Sequence, residues 1–432
     1  MEYDLKWEIE NPTLSRMDTE RKRLNDAVCS FEQQILGNPD PYVSSDTVKE
    51  IDDRTKKIYS LASRLDLDDL NSFDRAVCGD AVFNAKRVEL YSNYFMNPGT
   101  GMTIGKFLSG FYAPGTFDKL VNAVRPENLD SELLRAEEIS RTKMYVRTPE
   151  PSVVCGGFSD WSAEYKTKLL ESLKESKAAV DDYYKKINVK PFDYGVDFSP
   201  ADEPYSYWED GSFMAILDSK RFYFDGDKYK TAIPKIILAH ELGHGLHYEK
   251  SGNFPEGLNP HLEGFTCMVH GAGIEGVALA MEEGFLDDIN RFGNLSPEDK
   301  ESLRLHKQSY LPKKAVQIAH DLLEMRYFDQ TQNKDFPDSL TVDAHKKLAE
   351  ITGIKFFADD GSIEHQSFPD TLQKINYAVG KEDIDNLVGR LKREKIPDDF
   401  IFNSLLQGVW ASPTAHEDFI FNSYIPRVLS GS

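Results

Sequence analysis

Apolar residues recur at three- and four-residue spacing through most of the chain, the period of amphipathic helices. Over about residues 14–36 the stripe is Leu24, Val28, Phe31 and Ile35. A second helix is expected after Pro41, with Thr47 and Glu50 in capping-box spacing, continuing through Ile51, Ile58 and Leu61. A third should run from about 68 to 95 and close at Asn97-Pro98-Gly99, and the Gly/Pro-rich stretch 97–115 reads as a structured loop. Leu169, Leu173, Val180 and Tyr184 mark another helix over 159–187. The period then changes. Residues 213–217 and 221–224 are short β-rich runs separated by Asp218-Ser219-Lys220, which predicts a hairpin.

Near Pro234 the helical period returns, because proline suits a first helical turn and Ile236, Ile237 and Leu238 supply burial. Further helices are expected over 261–270 and 274–286, separated by Gly271-Ala272-Gly273, then over 297–326 with a break at Pro312, over 341–351, and over 370–393. The hexapeptide Asp-Phe-Ile-Phe-Asn-Ser stands at 399–404 and again at 418–423. Two copies are too few for a solenoid and read as two helices sharing a packing pattern. Together the elements predict a mainly α fold of two helical lobes around a cleft, with a small β-hairpin or short sheet beside the helix that begins near Pro234.

At 432 residues the chain exceeds one ordinary compact domain. It divides as a helical region 1–150 and a second region 151–432, or forms one continuous unit. The core can be large, so folding needs no disulfide or structural metal. Cys29, Cys78, Cys155 and Cys267 lie far apart without a C-x-x-C pair and read as free thiols of a reducing compartment. The first ten residues lack the basic and apolar regions of a signal peptide, and no apolar run approaches the ~18 residues of a membrane span. A cytoplasmic protein is the expectation. The net charge of −21 argues against nucleic acid and anionic membranes as partners, and the oligomeric state stays open.

Candidate chemistry concentrates at His240-Glu241-Leu-Gly-His244, an H-E-x-x-H pattern inside the helix near Pro234. Positions i and i+4 share one helix face about 6 Å apart along the axis, so both imidazoles can reach one ion. The intervening Glu241 stands where it can take a proton from an activated water. A catalytic zinc wants a third protein ligand and an open position. Position 250 is a lysine, which excludes the H-E-x-x-H-x-x-G-x-x-H pattern. His247 lies roughly 10 Å along the axis from His240, too far to share the ion, and reads as a supporting or packing residue. Glu263, His270, Glu275, Glu282 and Glu283 remain as third-ligand candidates. Glu275 is favoured because it opens a helix in which Gly276 and Ala278 permit close packing. Glu282, two turns on, suits a hydrogen bond to a ligand histidine.

H-E-L-G-H-G-L-H resembles the zinc helix of thimet-type oligopeptidases and oligoendopeptidases, gluzincins whose third ligand is a glutamate on a following helix. The Glu275 segment resembles the E-G-W-A-L-Y-x-E motif of the bacterial metallopeptidase-like family called domain of unknown function 885. Pro369 through Tyr377-Ala-Val-Gly380 and His416 through Ile425-Pro426-Arg-Val-Leu429 resemble that family's C-terminal signatures. The resemblance spans about residues 213–429, and it departs from the family at three places. The second histidine is two residues closer than in H-E-x-x-P-G-H. Both aromatics are gone from Glu275-Gly-Val-Ala-Leu-Ala280. The R-x-x-x-D-x-x-x-H stretch survives near 317–325 only as Asp321.

The resemblance implies Zn²⁺ on His240, His244 and Glu275 in a metallopeptidase-like fold. Tyr377, which matches the family's tyrosine, is the candidate donor to an oxyanion; His416 is a weaker one. The expected function is a zinc-dependent peptidase acting on short peptides, with Glu241 as general base. The lost aromatics leave a second reading, hydrolysis of a small non-peptide amide, ester or specialised metabolite. A third is a non-catalytic binding protein on a peptidase fold, against which the retention of Glu241 and both histidines speaks.

Overall fold

The computed structural model describes residues 5–36, 45–96, 102, 104–116, 163–189, 192–199, 205–209, 212–218, 224–225, 228–229, 232–259, 268–292 and 368–430. The fold is mainly α. Helix α1 (Pro12–Leu36) starts where the Asn11 side chain accepts from the amides of Thr13 and Leu14 at 2.9 and 3.2 Å, with Pro12 in the first position. Helices α2 (Ser45–Ala62) and α3 (Ser72–Met96) pack on it through Leu14, Leu24, Val28, Ile51, Ile58, Val77 and Ala81, all buried.

The expected loop over 97–115 contains a helix, α4 (Ile104–Phe111). Glycine counts read it as irregular, yet Phe107, Leu108 and Phe111 are buried and hold the turn against α3. Gly110 is needed for this approach, since a β-carbon there would stand 2.9 Å from Leu90 Cδ1.

Helix α5 (Ala163–Lys186) leads to a three-stranded sheet of β1 (Tyr194–Ser199), β2 (Tyr205–Glu209) and β3 (Ser212–Asp218) in the order β1-β3-β2. β3 runs parallel to β1, pairing Val196 with Ala215, and antiparallel to β2, pairing Tyr207 with Met214. β1 and β2 thus occupy both edges of β3, which leaves no edge for the expected pairing of 213–217 with 221–224, a run whose residues 221–223 lie outside the described residues. The hairpin partner lies upstream, across Asp210-Gly211, a two-residue hairpin signal that the apolar pattern obscured. A second ribbon pairs β4 (Phe224–Asp225) with β5 (Lys228–Tyr229).

Helix α6 (Ala232–Ser251) carries Pro234 in its first turn and is buried nearly all round. The sheet rests on it at Gly245, where a β-carbon would meet Phe192 Cζ at 2.5 Å and Phe213 Cε1 at 3.0 Å. The next helix, α7 (Met268–Phe292), runs unbroken through Gly271-Ala272-Gly273, where a separation was expected. These glycines are sites of close approach: β-carbons on Gly271 and Gly273 would stand 2.5 Å from Asn376 Nδ2 and 2.7 Å from the Trp410 carbonyl. Packing, more than intrinsic propensity, keeps them helical.

Helix α8 (Phe368–Arg393) lies along α7, and α9 (Asp398–Leu405), α10 (Pro413–Phe419), a π-turn (Ile420–Tyr424) and α11 (Ile425–Ser430) follow. The repeated hexapeptide buries its isoleucine and serine in both copies, Ile401 with Ser404 and Ile420 with Ser423. The helices expected over 297–326 and 341–351 lie outside the described residues, as do Glu263 and Asp321. Among the described cysteines Cys78 is a buried free thiol. No helix of the described residues is long and apolar enough to cross a membrane.

Early and late parts of the chain share one core. Trp7 packs against Phe73 at 5.0 Å and Phe419 at 4.9 Å between ring centroids, and Phe419 against Trp410 at 5.0 Å. Beneath them the fully buried Arg21 bonds Asp80 at 2.9 Å and Asp18 at 2.6 Å. The same carboxylates accept from the Ser412 and Gly257 amides at 2.7 and 3.0 Å. Burial pushes the Asp80 carboxyl up to about 6 against the pull of Arg21. Such a pair adds little net stability, but losing one partner would strand a charge, so it fixes how these four segments meet.

Candidate metal centre

Helix α6 presents His240, Glu241 and His244 in a region where each is at least nine-tenths buried. Its position is set from both sides. Tyr184 of α5 donates its hydroxyl to the Ala239 carbonyl at 2.8 Å. Gly243 faces α7, where a β-carbon would lie 3.2 Å from Met281 Cβ and 3.3 Å from Ala278 Cα. This close approach brings Glu275 to the two histidines.

The outcome is a triangle of potential ligand atoms. His240 Nε2 and His244 Nε2 are 3.2 Å apart, and Glu275 Oε2 stands 3.4 and 3.5 Å from them. Ligands arranged tetrahedrally around zinc at ~2.0–2.1 Å stand ~3.3–3.4 Å from one another. All three edges match that spacing. Glu275 Oε2, buried in α7, accepts no conventional hydrogen bond among the described residues. Two borderline imidazoles and one hard carboxylate form a donor set that a catalytic Zn²⁺ accepts. Among the described residues they form one group able to hold a metal ion.

A further carboxylate stands behind His240. His240 Nδ1 lies 3.2 Å from Glu282 Oε2, two turns beyond Glu275 on the same helix. A proton on Nδ1 directed at Glu282 leaves the Nε2 lone pair facing the centre of the triangle; this tautomer follows from the hydrogen-bond network. Burial alone would lower the His240 pKa, but the nearby Glu275 and Glu282 carboxylates outweigh it and raise the group well above the ordinary imidazole value. Glu275 moves the opposite way. Burial would raise its carboxyl, and the His244 and His240 rings hold it far below the usual range. Groups that bind a divalent ion must be deprotonated, so metal uptake here should release protons.

Tyr377 of α8 lies at the site. Its ring stacks on His240 at 6.3 Å between centroids and 17° between planes, and the side chain is half-buried. The remaining candidates stand elsewhere. Glu283 pairs with Lys381 at 2.9 Å. His247 Nε2 lies 2.8 Å from the Gly408 carbonyl, and burial lowers the ring to about 4. His270 is fully buried beside Arg87 and Arg21, lowered to about 3 by burial first and those charges second. His416 stacks on Trp410 at 6.0 Å, and burial lowers it to about 3. Tyr184 is a support for α6 that the sequence alone does not mark. It carried no signal beyond its place in an apolar stripe.

No protein-family model and no curated protein matches this sequence. Among solved structures the chain is similar to Trypanosoma cruzi metallocarboxypeptidase 1, at 11% identity over 97% of this chain and 99% of that one, with a TM-score of 0.40. It is also similar to a Pyrococcus furiosus carboxypeptidase, at 11% identity over 96% of each chain, with a TM-score of 0.37.

Proposed function

We propose that the chain is a zinc-dependent peptidase that hydrolyses short peptides. The observation that carries this reading is the ligand triangle of His240, His244 and Glu275, with the buried Glu241 next to it in sequence on α6. Zinc bound there would supply Lewis acidity and lower the pKa of a water from 15.7 to about 7. Glu241 takes a proton from the attacking water and returns it to the departing amine, the work of a general base followed by a general acid. Tyr377, stacked beside His240, offers its phenol to the oxygen that gains charge as the carbonyl is attacked. Glu282 keeps His240 in the tautomer that leaves Nε2 available. The short sheet rests on the same helix, and an extended peptide can pair with a strand edge there.

Glu241→Gln tests the mechanism. The variant should retain one zinc per chain and lose turnover on short peptides by at least about 10³-fold, since general acid and base functions are removed together. Hydrolysis at the wild-type rate would overturn the reading. A panel of short peptides beside capped and non-peptide amides reads the substrate class.

A further inference from the structure

None of the three ligand atoms comes from helices α1–α4, yet one buried and one partly buried hydrogen bond run from the segment just after α4 to α8. Tyr112 Oη donates to Asn376 Oδ1 at 2.8 Å, with both residues buried. Thr116 Oγ1 donates to Asp383 Oδ1 at 2.9 Å. Asn376 and Asp383 are two turns apart, so the bonds grip one face of α8 at two heights. Between them Gly380 presses on α7, where a β-carbon would fall inside the Ala272 carbonyl. Asn376 fits because Gly271 opposite it has no side chain. The Tyr112 ring is itself held. The guanidinium carbon of Arg87 lies 5.7 Å from its centroid and 4.1 Å from that of Phe111, while Arg87 Nη1 donates to the Ala411 carbonyl at 3.2 Å.

Tyr377 follows Asn376 directly. With side chains reaching ~6 Å from a helix axis, a rotation of ~10° about α8 would move the Tyr377 ring by ~1 Å. An error of that size at a reacting group can cost about 10²-fold in rate. Apolar contacts would let α8 slide and turn, whereas two directional bonds at separated heights would not.

We propose that Tyr112 and Thr116 are positioning residues: they fix the rotation of α8 and so place the Tyr377 phenol beside the metal centre. The kinetic part of this inference rests on the peptidase reading above. It gives the N-terminal helices a task in the reaction as a brace for a group that they do not touch.

The test uses the full-length, zinc-loaded protein and Tyr112→Phe, which removes one oxygen and keeps the ring. Expected are a kcat lowered about 10-fold, a KM within about two-fold of wild type and unchanged zinc content. In a Tyr377→Phe background the same substitution should have no further effect on kcat. Backbone hydrogen exchange should quicken over 376–383 and stay unchanged over 240–247. Thr116→Val should act in the same direction and serves if Tyr112→Phe does not fold. Wild-type kcat and exchange in both variants, a kcat loss that multiplies with Tyr377→Phe, or a loss matched by lost zinc would each overturn the inference. Absence of hydrolysis by the wild type would sink the peptidase reading alone; hydrogen exchange then decides the brace by itself, and unchanged exchange over 376–383 overturns it.

Discussion

Glu282 is placed to decide which nitrogen of His240 faces the candidate metal centre. Its carboxylate lies 3.2 Å from Nδ1, and the Nε2 lone pair is left for the ligand triangle. Carboxylates in this position raise ligand basicity and fix the ring, and their loss commonly costs 10–100-fold in metal affinity. Glu282→Gln should therefore weaken zinc binding by about that factor in a chelator competition, with the fold intact. An affinity equal to wild type would mean that packing alone, chiefly the stacked Tyr377 ring, orients His240.

At the scale of elements the centre depends on how closely three helices approach. α6 meets α7 at Gly243, and α7 meets α8 at Gly276 and Gly380, where a β-carbon on Gly276 would stand 2.6 Å from the Gly380 carbonyl carbon. Two glycine substitutions should have opposite signs. Gly380→Ala forces the backbones apart and should cost about 1–3 kcal/mol in chemical denaturation. Gly79→Ala, on the exposed side of α3 with nothing within 4 Å of the new carbon, should stabilise by about 0.5–1 kcal/mol. Equal effects of both would show that the close contact is not borne by backbone.

The same contacts explain what could be read from sequence. His240 and His244 come together by helical spacing alone, which any sequence displays. Glu275 required a helix packed across glycine, and the sequence offered only Gly276 and Ala278 as hints. The continuity of α7 through Gly271-Ala272-Gly273 was not legible, because the reason for those glycines is Asn376 and Trp410, more than a hundred residues away. Helix α4 was missed for a related cause: the burial of Phe107 and Phe111 against α3 outweighs the local glycine content. The strand partner of β3 was misassigned because apolar content outweighed the turn signal at Asp210-Gly211.

For the whole molecule the buried polar groups determine how stability responds to acid. His270 and His416 are both held at about 3 in the folded chain, mainly by burial, against about 6.5 when unfolded. Between those values the unfolded state binds protons that the folded state does not. Their contribution is fully present above pH ~6.5 and is lost as pH falls toward ~3. The slope approaches ~1.4 kcal/mol per pH unit for each histidine. Urea unfolding of metal-free protein at pH 7.5 and 5 should show this fall, and His416→Gln should make it shallower whatever its effect at neutral pH. A fall of unchanged steepness in that variant would remove His416 from the linkage.

The proposed metal centre stands or falls on whether zinc sits between the two imidazoles and the carboxylate. Zinc K-edge X-ray absorption on the purified protein answers this directly. Expected is stoichiometric zinc with nitrogen and oxygen neighbours at about 2.0–2.2 Å and the outer scattering of two imidazoles, reduced to one in His244→Gln. A sulfur shell near 2.3 Å, or a spectrum that His244→Gln leaves unchanged, would contradict it.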